Sequence, residues 1–272
     1  LAIRRYGTLE ILEPSPTAEE SRNMIFSFLD QEQVERVSRG EDLDVGCMLW
    51  DGTRIRATIY HQRNNLAASI RLLNQYIPTF EELGLPPVVR DLAEMPRGLV
   101  LVTGPTGSGK STTLASMVDY INKTTSRHIM TIEDPIEYVY PHNKAMIHQR
   151  EVGKDVTSFA TALRSALRED PDIILVGEMR DFETISAAIT AAETGHLVLS
   201  TLHTTSAAQT VERIIDATPL EGQDQIRTQF SNVIRGVVTQ TLLPAADGNG
   251  RVVATEIMVA NAAIGNLIRE KK

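Results

Sequence analysis

The sequence predicts an α/β protein in which a larger domain, built on a mostly parallel β-sheet, follows a smaller α/β domain. Two observations predict this fold class. From residue 98 onwards, apolar runs of strand length alternate with amphipathic helical patterns, as in parallel sheets flanked by helices. Before residue 84, apolar residues recur with a period of two around a tight-turn signal, which indicates antiparallel strands.

The length and composition are those of a packed globular protein. The 272 residues suffice for two domains, and 42% hydrophobic with 23% charged residues is close to average usage. The longest apolar stretches, 99–102 and 173–176, are much shorter than the ~20 residues of a membrane helix. The single cysteine, Cys47, excludes an intramolecular disulfide and a multi-cysteine metal site. The sequence begins with Leu1 rather than Met, so we expect N-terminal residues to be missing.

The charge balance bears on the class of partner. A formal net charge of -8 disfavours a dedicated nucleic-acid binder, because neutralising phosphates requires clustered Lys and Arg. A basic channel inside an acidic protein would escape this argument. Together with the lack of a signal-peptide pattern, it predicts a soluble cytoplasmic protein without a nucleic-acid partner.

The N-terminal part is predicted to contain a helix and a small antiparallel sheet. Residues 17–33 place apolar side chains at helical spacing. The pair Asp51-Gly52 lies between two alternating segments and predicts a two-residue hairpin turn, since Gly supplies the positive φ that such a turn requires.

Three arginines are expected on one face of this sheet. Arg54 and Arg56 alternate with apolar residues in the second strand, and Arg71 does so in the next, residues 66–72. Solvated strand arginines are the plainer interpretation of the pattern.

Proline and glycine mark the domain boundary. They cluster between residues 78 and 96, and such residues punctuate rather than extend regular elements. We therefore predict an N-terminal domain over 1–84, a linker over 85–97 with at most one short helix, and a second domain over 98–272. Strands of the second domain are predicted at 99–103, 129–132, 173–177 and 197–201, and a helix at 158–168.

A glycine-rich loop in the second domain predicts a phosphate-binding site. Residues 104–111 match the pattern G-x-x-x-x-G-K-[ST] at every fixed position, between an apolar strand and a helical pattern. Glycines let backbone amides wrap the phosphates, and the helix N-terminus adds a positive dipole. Lys110 is expected to bind the phosphates and Ser111 to ligate Mg²⁺. The predicted nucleotide-binding residues are Thr106, Gly107, Ser108, Gly109, Lys110, Ser111 and Thr112.

Two acidic positions are candidate catalytic and metal-binding residues. Glu178 follows an apolar strand at whose end Gly177 replaces the Asp of most phosphate-loop enzymes, and it could polarise the attacking water or hold the hydrated metal. Glu133 begins a run of three carboxylates within five residues, which a cation would stabilise, although an isolated acidic turn is more often a solvated loop. The predicted metal set is Ser111, Glu133 and Glu178.

A third strand ends in Thr-Leu-His, and its histidine is a candidate for detecting the γ-phosphate of the nucleotide. His203 could point at the γ-phosphate, whereas a lone strand-end histidine can also be hydrogen-bonded structure. His196, near the strand start, fits packing and function equally.

Taken together, these motifs carry a family resemblance. The phosphate loop, the acidic segment 131–137, the strand end Gly-Glu-Met-Arg-Asp at 177–181 and the histidine segment 195–203 resemble the secretion ATPase superfamily. Residues 261–270 are similar to the Ala-Ile-Arg-Asn-Leu-Ile-Arg-Glu stretch of its PilT-type retraction ATPases of type IV pili, with Gly265 in place of Arg. A glycine inside a helix costs about 1 kcal/mol relative to alanine.

The resemblance implies a fold, an assembly and a function. It implies a RecA-like phosphate-loop core, a PAS-like N-terminal domain that lacks its first strand and helix, and a homohexameric ring that binds ATP and Mg²⁺. It also implies that Arg56 and Arg71 reach the phosphates as the domains close, with Arg63 a weaker candidate. Glu178, Glu133 and His203 would complete the catalytic set. The implied function is pilus retraction through an inner-membrane platform protein, at the inner face of the cytoplasmic membrane.

Other functions remain open at this stage. An assembly ATPase of pili or type II secretion often carries a four-cysteine zinc insert, which one cysteine cannot supply. The accessory retraction ATPase PilU fits the residues 261–270 less well. A RecA-like DNA translocase is disfavoured by the acidic charge, and a nucleotide-gated ring without turnover by the presence of Lys110 and Glu178.

Overall fold

The computed structural model describes residues 1–5, 8–73, 75–246 and 250–271. Within them the chain divides into two compact units, Leu1–Tyr76 and Ile77–Lys272. The division comes earlier than the boundary predicted at residue 84. Residues 77–97 belong to the second unit because the apolar side chains between their prolines, such as Phe80, Leu85 and Leu92, are buried in its core.

The first unit combines two helices with antiparallel strands. A hairpin of β1 (Ala2–Arg5) and β2 (Thr8–Ile11) precedes helices α1 (Ala18–Phe26) and α2 (Gln31–Ser38). A second sheet follows in the order β3 (Leu43–Met48), β4 (Arg54–Gln62) and β5 (Asn65–Leu72). Its buried face packs against the helices around Ile25, Val37, Ile55 and Ile59.

The single helix predicted over 17–33 is wrong, since the segment contains the whole of α1 and the start of α2. Asp30 caps α2 by accepting a hydrogen bond from the backbone N–H of Gln33, whose side chain in turn accepts from the N–H of Asp30. This capping box stabilises a helix start at that point, so the first helix ends before it.

The predicted hairpin between β3 and β4 is present, but its two-residue turn is wrong. The N–H of Leu49 donates to the carbonyl of Thr53, which leaves a three-residue loop of Trp50, Asp51 and Gly52. Gly52 has φ +85°, the left-handed conformation that three-residue hairpin loops place at their last position.

Helices cover both faces of the sheet in the second unit. Its described strands are β6 (Gly98–Thr103), β7 (His128–Glu133), β8 (Met146–Glu151), β9 (Ile173–Val176), β10 (Leu197–Leu202), β11 (Ile234–Pro244) and β12 (Arg251–Val259). Its described helices are α3 (Val88–Ala93), α4 (Lys110–Thr124), α5 (Phe159–Ala166), α6 (Phe182–Glu193), α7 (Ala207–Asp216), α8 (Gln223–Val233) and α9 (Ala262–Arg269).

The strands lie in the order β12-β11-β6-β10-β9-β7-β8, and all are parallel to their neighbours except β12. Side chains of α5, α6, α7 and α8 form the core on one face of the sheet, and those of α3 and α4 form the core on the other.

The predicted strands and the predicted helix of this unit are confirmed, whereas β8, β11 and β12 were not foreseen. Gly265 lies within α9, where a Cβ would stand 3.2 Å from the backbone oxygen of Ser231 in α8. The glycine therefore allows these two helices to approach closely.

Among the described residues, no helix combines the length and the apolar character needed to cross a bilayer.

Candidate functional site

One edge of the parallel sheet gathers the residues that the second-domain motifs singled out. The neighbouring strands β6, β10, β9 and β7 run in the same direction, so their carboxyl ends lie side by side. β6 leads into the phosphate loop, β10 into His203, β9 into Gly177 and Glu178, and β7 ends at Glu133. Ligands of open α/β sheets bind at such an edge.

The phosphate loop runs from the end of β6 into the N-terminus of α4. Gly109 precedes the helix in the left-handed conformation at φ +90°, and Gly104 has φ +142°. A Cβ at Gly104 would overlap the backbone oxygen of Gln240 in β11. Only glycine permits this close approach, which turns the loop back onto the helix N-terminus, where backbone N–H groups favour an anion.

Lys110 is buried at the end of this loop, where it is the first residue of α4. Its Nζ donates to the carbonyl oxygens of Gly104 at 2.8 Å and Pro105 at 2.9 Å. Burial lowers the pKa of Lys110, and attraction by Glu178 and Glu137 opposes that shift. The ammonium and these two carboxylates therefore share one electrostatic neighbourhood.

The remaining loop residues differ in their exposure to solvent. Ser108 is buried, while Ser111 is exposed in the first turn of α4. The hydroxyl of Thr112 lies 3.1 Å from the phenol oxygen of Tyr138, which joins the helix to the acidic segment. Thr106 and Gly107 lie at the exposed tip of the loop, where they can meet a ligand.

Glu178 is held between two cationic or potentially cationic side chains. Its Oε2 lies 2.6 Å from Nε of Arg180 and 3.6 Å from Nε2 of His203, and its side chain is 16% exposed. A cavity of about 700 Å³ opens beside it, lined by Asp134, Phe159 and residues at the start of α5 and α6. Water can therefore reach a carboxylate whose orientation is fixed by its neighbours.

The replacement of the usual strand-end aspartate by Gly177 has a steric reason. A Cβ at this position would lie 3.3 Å from the carbonyl oxygen of Ile132 and 3.5 Å from Cα of Glu133. A larger residue would press on the end of β7, and the carboxylate therefore comes from Glu178, one residue later.

Glu133 is buried at the end of β7. Its Oε1 accepts from the hydroxyl of Thr131 at 2.7 Å and from Nε2 of Gln149 at 3.2 Å. Burial raises its pKa from 4.5 to about 6, although these hydrogen bonds act in the opposite direction. A carboxylate that is desolvated without a neighbouring cation is suited to receive one.

The donor set fits Mg²⁺. Ser111 offers a hydroxyl oxygen, and Glu133 and Glu178 offer carboxylate oxygens, which are the ligands that this hard cation prefers. Burial raises the pKa of Glu133, and a bound cation would stabilise its charged form. The metal-binding role of the three residues stays a prediction.

The predicted arginines lie in the first unit. Arg56 and Arg71 stand directly opposite each other in the β4–β5 register, so both point to the same face, as does Arg54 two residues along the strand. Arg56 forms an ion pair with Asp44, with 2.6 Å between Nη2 and Oδ2. Arg63 lies in the turn between the strands at φ +50°. The role of Arg56 and Arg71 at the nucleotide stays a prediction.

Sequence reasoning overlooked several side chains at this edge. Arg180 pairs with Glu178, Gln149 supports Glu133, and Gln240 contacts the phosphate loop. For Gln240, the available signal was a polar residue in the largely apolar strand β11, whereas Gln149 lies in β8, most of whose residues are polar. His196 lies at the opposite end of β10, where Nδ1 is 2.9 Å from the carbonyl of Ala191, so it secures a helix-to-strand connection away from this edge.

A phosphate loop, a strand-end glutamate and a buried carboxylate at the carboxyl edge of a parallel sheet define a phosphate-loop ATPase with a RecA-like core. The family model described as "Type II/IV secretion system protein" matches residues 56–271, and the chain belongs to this family.

Individual members of the family are similar to this chain over most of its length. A twitching motility protein of Neisseria gonorrhoeae is 49% identical over 271 residues, which are 99% of this chain and 72% of the relative. The type IV pilus retraction ATPase PilT of Pseudomonas aeruginosa is 50% identical over 249 residues, 92% of this chain and 72% of the relative. A crystal structure of the pilus retraction motor PilT with bound ADP superposes with a TM-score of 0.94 at 50% identity, covering 99% of this chain and 79% of that one.

Proposed function

We propose that the chain is the motor ATPase that powers type IV pilus retraction, and hence twitching motility. The observation that supports the proposal is the attraction between Lys110 of the phosphate loop and Glu178 at the end of β9, in a chain about half identical to a retraction ATPase. The assembly is a homohexameric ring, and it acts on an inner-membrane platform protein from the cytoplasmic face.

The geometry supports the following roles. Lys110 and the loop amides bind the ATP phosphates, and Glu178 accepts a proton from the attacking water. Arg180 holds the carboxylate of Glu178, and His203, 3.6 Å away, responds to the presence of the γ-phosphate. Ser111, Glu133 and Glu178 would hold Mg²⁺, which would supply positive charge that stabilises the charge of the phosphates.

The direction of work is tested in the host. We expect deletion of the gene to give cells with excess surface pili and no surface motility, counted by electron microscopy and motility assay. Complementation with Glu178→Gln should leave the deletion phenotype unchanged, which separates turnover from a scaffolding role. Bald deletion cells would contradict retraction and favour the assembly ATPase, with the same site chemistry. A strain that retracts normally with Glu178→Gln would support a ring that needs no turnover.

A further inference from the structure

Strand β11 continues past the end of β6 and runs beside the phosphate loop. The two strands pair in parallel up to Thr239 opposite Thr103, whose hydroxyl oxygens are 2.9 Å apart and buried. β11 then extends to Pro244, whereas β6 has ended. On the side of β6, Gln240 is consequently the first residue of β11 that lies beside the loop rather than beside a strand.

The side-chain amide of Gln240 uses both of its ends on the nucleotide site. Nε2 donates to the carbonyl oxygen of Ser108 at 2.6 Å, and Oε1 accepts from the hydroxyl of Thr113 at 2.9 Å. Gln240 and Thr113 are each only 2% exposed, so water does not compete for these bonds. One side chain thereby joins the loop to the first turn of α4.

The bond to Ser108 has a consequence for the ligand-facing side of the loop. In a planar trans peptide, the carbonyl of one residue and the N–H of the next point in opposite directions. Because Gln240 holds the carbonyl of Ser108 towards β11, the N–H of Gly109 must point away from β11. That direction is the one in which a phosphate-loop amide can meet a phosphate oxygen.

We infer that Gln240 is a positioning residue for nucleotide binding, which keeps the phosphate loop in its nucleotide-accepting shape before the nucleotide arrives. Without it, the peptide between Ser108 and Gly109 is free to rotate, and only a fraction of molecules is competent to bind. Apparent affinity falls in proportion to that fraction. Once the nucleotide is bound, its phosphates hold the amides, so the rate at saturation changes little. The inference rests on the ATPase site and not on pilus retraction.

The test compares Gln240→Met, which keeps the length of the side chain but neither hydrogen bond, with the original chain. Titration with fluorescent ADP gives Kd, and ATPase assays give KM and kcat. We expect Kd and KM to rise about tenfold, as for the loss of a buried hydrogen bond, with kcat within about twofold. Gln229→Met is the matched control, because that glutamine bonds to Glu193 on the α6–α8 side. It should leave all three constants unchanged.

A second pair of variants covers the case in which Gln240→Met does not fold. Thr113→Val removes the hydroxyl that orients the amide, and we expect it to raise Kd about threefold. Thr113→Ser restores the hydroxyl and should restore the affinity. A thermal melt is recorded for each variant. A lowered Tm with unchanged Kd would overturn the inference in favour of a merely structural bond, and a lowered kcat with unchanged Kd would overturn it in favour of a role in the chemistry. Failure of the original chain to bind ADP would instead remove the proposed function.

Discussion

The cationic and anionic sides of the nucleotide site differ in how the fold satisfies their charges. Lys110 donates to two carbonyl oxygens of its own loop and is attracted by Glu178 and Glu137. Glu133 accepts two hydrogen bonds but lies near the carboxylate of Glu137, and burial raises its pKa to about 6. Both are desolvated, yet only the lysine has opposite charge close by.

The difference shows which side depends on a ligand. The lysine is stable before the nucleotide arrives, because the loop and the carboxylates compensate its charge. The glutamate stores an unfavourable free energy that a cation would release. A buried carboxylate of this kind lowers the stability of the chain without a ligand and favours the binding of a cation.

The largest effect is expected from replacing Glu178, the carboxylate beside the cavity, and it should appear in kcat. Glu178→Gln removes the proton acceptor but keeps the shape, so kcat should fall about 1,000-fold while Kd for ATP changes by less than about threefold. Steady-state phosphate release and a nucleotide titration measure the two constants. Glu183→Gln is the control, since that exposed glutamate of the same cavity pairs with Arg164. Normal turnover in Glu178→Gln would remove its assigned role.

A smaller but still large effect is expected on the cationic side. Lys110→Ala should weaken ADP and ATP binding at least about 100-fold, because the phosphates lose their buried charged partner. Calorimetric titration measures this loss. Lys144→Ala, at an exposed position, should bind normally. Retained affinity in Lys110→Ala would show that the loop amides alone hold the phosphates.

Because burial disfavours the charged form of Glu133, replacing it by an uncharged residue should raise the free energy of unfolding. The pKa of about 6 in the folded state lies above the ordinary 4.5, so the folded chain loses stability as pH rises from about 4.5 to about 6. With chelator and without nucleotide, Glu133→Gln should therefore be more stable by about 2 kcal/mol at pH 7.5.

The gain should vanish below about pH 4.5, where the carboxyl is protonated in both states. Denaturant melts at the two pH values measure the difference. Equal stability of the two chains at pH 7.5 would show that Glu133 already has a compensating charge, and the contrast with Lys110 would not hold.

The smallest effect is expected in the first unit. Arg56 has an ion pair with Asp44, whereas Arg71 faces the like charge of Arg56 across the strands. Arg71→Gln should leave stability unchanged or raise it by about 0.5 kcal/mol, and Arg56→Gln should lower it by a similar amount. Thermal melts rank the two variants. If turnover falls in Arg71→Gln while stability does not, the predicted catalytic role is supported. Unchanged turnover contradicts that role.

The sequence by itself determined the elements whose signal is local. The glycine pattern and Lys110 fixed the phosphate loop, and apolar runs fixed strands β6, β7, β9 and β10, because a buried parallel strand must be apolar on both faces. The acidic and histidine segments were found as strand ends. Their meeting at one edge followed from the rule that parallel strands align their carboxyl ends.

Only the tertiary structure decided which polar side chains serve those elements. Gln240 lies more than a hundred residues from the loop that it contacts, and Gly177 is explained by the approach of β7 rather than by any local pattern. The start of the second unit was misplaced for the same reason, since Phe80 and Leu92 lie among prolines but are buried by distant strands. These contacts depend on residues that are adjacent in space and remote in the chain, so the local sequence pattern does not show which residues are partners.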